Sequence, residues 1–468
     1  MTARDTNAEN SPKKDAISPA RREAFSILEK VGRGVAHADD LLRGRRVTAL
    51  SAQDRNLCTT LVLGVLRWQI ALDARIRPLL AKPGARLDEE VAIALRLGAF
   101  QLWFLDRIPA HAAIGESVAL AKAAGHRFAS GMVNAVLRKA AALGREESLD
   151  PALAFPAWMV ERWRRLYGDG ATREICGHGQ AAPELALRFS GDEMELAAEG
   201  IVVAPGVLVK AARRVVSGDV TETQAFASER VRIQEEGSQL IAELSALRDF
   251  SPRQILDCCA APGGKTLVMA EVNPQAHITA CELSPLRLEA LRRRMTAFAG
   301  QQEGHQGEID VALGDITQLG LSDRYDFVLA DVPCSGTGTL GRNPEIRHRL
   351  KIEDLARHHE RQCAILRTAL KAAATAQARV VYSTCSLEPE ENEAVVAEVF
   401  AEASDWRRVS MADALTNLAE SGRITAEGAA LLRRCVSEDG SLLLLPGALG
   451  EQHRTDGFFM AMLERVRA

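Results

Sequence analysis

None of the nine cysteines forms a Cys-x-x-Cys pair, which excludes a zinc ribbon. Their spacing is not that of a disulfide scaffold either, so reduced thiols in a cytoplasm are expected. The opening residues, Met1-Thr-Ala-Arg-Asp-Thr, hold no apolar stretch of the kind a secretory signal needs. No uninterrupted apolar run approaches the roughly 18 residues of a membrane span, and no membrane partner is expected. An excess of basic charge is missing too. The chain has 58 Lys and Arg against 62 Asp and Glu, a net charge of −4. That weighs against a tight nonspecific nucleic-acid binder without excluding local basic faces. Two are candidates, Arg287, Arg292, Arg293 and Arg294, then Arg342, Arg347, Arg349 and Lys351; an ordinary solvated face explains each equally well. No repeat with a period of roughly 20–50 residues is visible.

What is present is 468 residues of ordinary globular composition, 47% hydrophobic and 26% charged, enough for several domains. Residues 1–17 read as a polar, disordered tail. From 18 to 145 the pattern is helical: Ala24, Ile27, Leu28 and Val31 recur at helical spacing, and Ser51 to Asp54 reads as a capping box. Residues 146–234 read as a linker and a small α+β domain, with short β-like runs at 185–189, 201–204 and 207–209. From 235 to 468 strands alternate with helices, the strands expected at 254–258, 277–282, 310–313, 327–330, 379–383, 441–445 and 458–463. That alternation predicts a mainly parallel sheet with helices on both faces, binding its ligand at the strands' carboxyl ends.

The chemistry-bearing residues fall at those ends. Asp257-Cys-Cys-Ala-Ala-Pro262-Gly263-Gly264-Lys265 is a glycine turn between strand and helix, neither a dinucleotide fingerprint nor a Walker A loop. Glu282 ends the next strand 18 residues after Gly264, where an acid binds ribose hydroxyls, and Asp315 ends the third, where it could face an adenine. A helix cap is the plain alternative for each acid. Cys334 sits in Asp331-Val-Pro-Cys334-Ser-Gly-Thr-Gly and Cys385 in Tyr382-Ser-Thr-Cys385-Ser-Leu-Glu-Pro-Glu-Glu. The Pro-Glu-Glu predicts a helix N-terminus that would favour a thiolate at Cys385. Two thiols and an acid beside an adenosine pocket suit methylation at carbon 5 of a pyrimidine. There a thiolate adds at carbon 6, an acid steadies the adduct and a second thiol assists release.

Residues 235–468 resemble the Sun-type (RsmB-like) RNA cytosine-5 methyltransferases through Gln234-Glu-Glu-Gly-Ser-Gln-Leu, Cys259-Ala-Ala-Pro-Gly-Gly-Lys265, the two cysteine segments, Arg342-Asn-Pro-Glu-Ile-Arg and His453-Arg-Thr-Asp-Gly-Phe-Phe. Residues 18–145 resemble a NusB-like helical domain through Leu97-Gly-Ala-Phe-Gln-Leu-Trp and Gly131-Met-Val-Asn134-Ala-Val-Leu-Arg138. The resemblance implies three parts: an all-α NusB-like, RNA-binding N-terminal domain, a small α+β linking domain and a Rossmann-like α/β methyltransferase domain. It implies S-adenosyl-L-methionine as cofactor, no metal, and Cys385 as nucleophile with Cys334 as the release cysteine. Asp331 and Lys265 would assist the chemistry, while Cys259, Ala260, Ala261, Pro262, Gly263, Gly264, Lys265, Glu282, Arg287, Asp315 and Asp331 would line the cofactor or base site. The family usually has Asp where Glu282 stands, and the segment 371–378 replaces its usual Lys-Pro-Gly-Gly turn. The implied substrate is small-subunit (16S) ribosomal RNA before full assembly, and the expected state a monomer. The rivals are a transfer-RNA cytosine-5 methyltransferase and a noncatalytic RNA-binding or ribosome-assembly factor. A DNA cytosine methyltransferase is disfavoured because it would not need Cys385.

Overall fold

The computed structural model describes residues 17–144, 149–299, 307–321, 324–373, 375–450 and 453–466. The expected tail at 1–17, all but Ile17, and most of the 300–308 loop lie outside them. The chain divides into two compact units: residues 1–180 with Asn343–Arg349, and residues 181–342 with 350–468.

The first unit is helical. Ser51 starts the long helix Ala52–Ile76 as the capping pattern predicts, its hydroxyl accepting from the Asp54 amide. By length and composition the stretch Ala52–Leu79 could cross a membrane, which the run-length reading missed; half of its most apolar window is buried inside the protein. Its apolar face joins Glu89–Phe104 and the helices Pro19–Gly32 and Ser130–Leu143 in one core around Leu61, Val65, Phe100 and Trp103. The helical stretch Ala157–Gln180 is broken at Gly168, where φ is 81°. Asn343–Arg349 corrects the reading of the second basic cluster. Arg347, 1% exposed, donates to the carbonyls of Arg67, Ala154 and Gly179, and Arg349 donates to those of Val31 and Ala36. These arginines satisfy backbone acceptors inside the unit and do not make a basic face.

The second unit contains two sheets. The smaller one is antiparallel, β1 (Ala186–Arg188), β2 (Val202–Pro205), β3 (Ala212–Ser217) and β4 (Arg232–Ile233) in the order β2-β3-β1-β4. The apolar run 207–209 is no strand: the amides of Val207, Leu208 and Val209 all turn onto the Glu236 carboxylate. The larger sheet holds β5 (Gln254–Asp257), β6 (His277–Glu282), β7 (Ile309–Leu313), β8 (Phe327–Asp331), β9 (Arg379–Thr384), β10 (Trp406–Val409), β11 (Leu442–Leu444) and β12 (Phe458–Arg465). Its order is β10-β12-β9-β8-β5-β6-β7, with β11 also on β12. β7, β6, β5, β8 and β9 are parallel; the last strands join antiparallel. Successive strand residues feed opposite faces. Ile255, Leu329 and Val381 pack with the helices Gly264–Val272 and Pro285–Ala299, whereas Leu256, Val328 and Val380 pack with Asp354–Ala372 and Glu393–Ala401. The connection order reverses between β5 and β8, which opens a crevice at their carboxyl ends.

Candidate active site

The crevice collects nearly every residue singled out in the sequence. β5 ends at the buried Asp257, which accepts from the Thr266 hydroxyl at 2.7 Å and so ties the strand to the next helix. Burial, more than its neighbours, pushes the Asp257 carboxyl up to about 6. The intervening turn holds a cis Ala261–Pro262 peptide and Gly263 at φ 97°, where a side chain would meet Leu291 and Met295. A cleft of about 410 Å³ is lined by Cys259, Ala261, Glu282, Arg287, Asp315, Asp331, Cys334 and Cys385. An adjoining cavity of about 220 Å³ is lined by Cys259, Ala260, Ala261, Pro262, Gly264, Lys265 and Asp331. Gly263 alone of the expected residues lines neither; its part is to shape the turn.

The donor set suits a nucleoside-bearing cofactor. One Glu282 oxygen is fixed by the Ser284 amide at 2.7 Å, and among the described residues the other carries no hydrogen bond. Glu282 thus keeps one acceptor oxygen on a residue that lines the cleft. Asp315 caps the turn at Ile316–Gln318, accepting from the Thr317 amide and hydroxyl, and those bonds hold its carboxyl below the usual range. The cap and the cleft wall are thus the same residue. Arg361, on the helix Asp354–Ala372, also lines the cleft and was not legible in the sequence, because nothing in its own segment marks it.

The reactive groups lie where β8 and β9 end side by side. Asp331 pairs in register with Ser383, whose hydroxyl donates to it at 2.8 Å. Lys265 Nζ donates to the other Asp331 oxygen, also at 2.8 Å. Burial opposes the ammonium, but the Asp331 carboxylate outweighs it and holds Lys265 above its ordinary value, with Cys385 adding. Cys334 Sγ and Cys385 Sγ are 3.4 Å apart. The Gly338 amide donates to the Cys385 carbonyl at 2.8 Å, and a side chain at Gly338 would strike backbone there, so this approach requires glycine. The Cys334 thiol is raised well above the ordinary range, first by its hydrogen bond to Cys385, then by burial, with Cys385 and Glu391 adding. Either sulfur can donate to the other across this contact.

One expectation fails. Among the described residues no helix N-terminus faces Cys385. A single short turn occupies Pro389–Glu391 and the helix starts at Glu393. The amides of Ser386, Leu387 and Glu388 are taken by the hydroxyls of Thr384, Thr337 and Ser386. The positive charge near Cys385 is Lys265 instead.

The family model for 16S rRNA methyltransferase RsmB/F matches residues 245–464, and that of the NusB family matches residues 18–142. The probable ribosomal RNA small subunit methyltransferase B of Bacillus subtilis is 32% identical over 94% of this chain and 98% of its own length. Its counterpart from Synechocystis is 32% identical over 96% of this chain and 99% of its own length. Among solved structures, PH0851 superposes with a TM-score of 0.75 at 20% identity, over 96% of this chain and 99% of its own. NSun6 from Pyrococcus horikoshii with SFG gives 0.52 at 16% identity, over 67% and 99%. Those two likenesses speak for the fold alone. The full-length matches settle kinship: the chain belongs to the ribosomal RNA small subunit methyltransferase B family.

Proposed function

We propose that this methyltransferase forms 5-methylcytosine in small-subunit ribosomal RNA through a transient bond between Cys385 and carbon 6 of the base. One observation carries the reading: two thiols 3.4 Å apart at the ends of adjacent parallel strands, beside a Lys265–Asp331 ion pair. Carbon 5 of cytosine is a poor nucleophile until a thiolate adds at carbon 6. Cys385 supplies that thiolate, with Cys334 as its hydrogen-bond partner and the Lys265 ammonium near enough to offset the charge. The Lys265–Asp331 pair gives ring nitrogen 3 a proton as the thiolate adds at carbon 6, and takes it back as the electrons return through the ring to carbon 5 for its new bond. S-adenosylmethionine, held along Glu282, Asp315 and the Gly263 turn, supplies the electrophilic methyl group when bound. Once Cys385 is bonded to carbon 6, the main cause of the raised Cys334 thiol is gone. Cys334 then gives up its proton to solvent and takes the one on carbon 5. The electrons of that C–H bond restore the ring double bond, and the carbon 6–sulfur bond breaks back to the Cys385 thiolate.

The base has to leave its stack to reach this cleft, which favours RNA that is not yet assembled into the subunit. In this reading the helical unit binds the RNA, and the protein acts as a cytoplasmic monomer. Labelled methyl transfer to protein-free small-subunit ribosomal RNA and to transfer RNA, with the base mapped, tests the substrate. Label in transfer RNA alone overturns it, and label in neither favours the noncatalytic rival. For the chemistry, Cys385→Ala abolishes transfer, whereas Cys334→Ala leaves RNA trapped on Cys385 as a slow band on a denaturing gel. The opposite pattern reverses the two roles.

A further inference from the structure

The two cysteine loops share a buried anchor that lines no part of the cleft, the glutamate on which the Cys385 segment ends. Glu391 has no solvent exposure. Its Oε1 accepts from the Ser335 amide at 2.8 Å, His358 Nδ1 at 2.9 Å and Gln362 Nε2 at 3.0 Å. Its Oε2 accepts from the hydroxyls of Ser335 and Ser386. Its backbone carbonyl accepts from the Tyr382 hydroxyl at 2.6 Å. Gln362 Nε2 also reaches the Pro333 carbonyl at 3.0 Å. These partners bracket the reactive sulfurs: Pro333 and Ser335 flank Cys334, Ser386 follows Cys385, and Tyr382 precedes it on the same strand.

A buried carboxylate is expensive to desolvate, and a well-packed apolar group would fill the same space more cheaply. The donors nevertheless keep Glu391 ionised: burial raises its carboxyl, and the hydrogen bonds led by His358, Ser335 and Ser386 bring it below the ordinary range. A charge kept at that cost is felt at Cys334, while Lys265 is felt at Cys385. The two sulfurs therefore lie in a field with its negative end at Cys334 and its positive end at Cys385.

We propose that Glu391 is a positioning residue for methyl transfer, a buried clamp that holds the Cys334 and Cys385 loops in register across the cleft. Its charge also opposes a thiolate at Cys334. The consequence for turnover rests on the two-thiol reading above; the clamp itself does not. The test uses the full-length protein without RNA. Each cysteine is alkylated with iodoacetamide across a range of pH, and the sites are resolved by peptide mass spectrometry. In Glu391→Gln, with S-adenosylmethionine binding intact, the Cys334 profile should move to lower pH. Removing one nearby charge predicts about tenfold more labelling of Cys334 at a fixed pH below its midpoint. An unmoved Cys334 profile in that variant overturns the proposal. If Glu391→Gln does not fold, Ser386→Ala keeps the charge and removes one strut. It should lower kcat about tenfold at unchanged KM for RNA, and an unchanged kcat overturns the clamp. A shifted Cys334 profile together with a Cys334→Ala variant that fails to trap RNA would retain the clamp and sink the two-thiol roles instead.

Discussion

Lys265 carries two duties, and they can be separated by experiment. It is the partner of Asp331 and the positive charge felt by Cys385. Lys265→Met should lower kcat for methyl transfer by about tenfold or more, and Lys265→Arg, which keeps the charge and changes the contact with Asp331, by less. Labelled methyl transfer measures both, and equal losses would assign the role to the contact rather than to the charge. At this scale the sequence revealed the sulfurs and the acids because each ends a strand inside a recognisable segment. Glu391 stayed hidden although it stands only six residues after Cys385. Its importance comes from Ser335, His358 and Gln362, which the fold brings in from distant segments. The one local hint was that both reactive cysteines are followed by serine.

Among the elements, the small sheet is fastened to the cofactor-turn helix by buried charge. Arg188 on β1 pairs with Glu243 at 2.6 Å and with Glu271 at 3.0 Å, and Arg232 on β4 also pairs with Glu271. Glu271 lies on the helix Gly264–Val272, whose first turn carries Lys265. Burial raises the Glu271 carboxyl, but the two arginines overcome it and bring it down to about 2. The folded value lies below the ordinary 4.5, so the stabilisation is complete above about 4.5 and is lost as pH falls toward 2. Glu271→Gln should destabilise the protein by about 3–5 kcal/mol, because it leaves two buried guanidinium groups short of a partner. Denaturant melts at neutral pH measure this, and the variant should also lose the acid limb seen in the parent. The strand His277–Glu282, set between a Pro-containing turn and Leu-Ser-Pro, was legible to the residue. Trp406–Val409 and Ala212–Ser217 were not, because paired arginines interrupt each of them. At 207–209 the apolar run reads as a strand and is none, since its amides serve a carboxylate rather than a neighbouring strand.

Over the whole molecule, the chain passes between its two units at three places: after Gln180, after Arg342 and after Arg349. The middle excursion, Asn343–Arg349, sits in sequence between the Cys334 loop and the Cys385 strand. Its arginines depend on carbonyls of residues 31, 36, 67, 154 and 179. A polypeptide of 181–468 made alone would leave those guanidinium groups without their acceptors. We expect residues 1–180, supplied as a separate chain, to co-purify with it, and Arg347→Ala to weaken that capture. Failure to co-purify would mean that the seven residues do not hold the helical unit on their own. None of this was legible beforehand, because Arg342-Asn-Pro-Glu-Ile-Arg reads as one more catalytic-domain motif.

That excursion also bears on exchange between relatives. A cut after Gln180 moves the helical unit without the heptapeptide Asn343–Arg349 that belongs to it. Chimeras that exchange residues 18–180 between relatives should therefore fold best when the donor's own version of this heptapeptide travels with them.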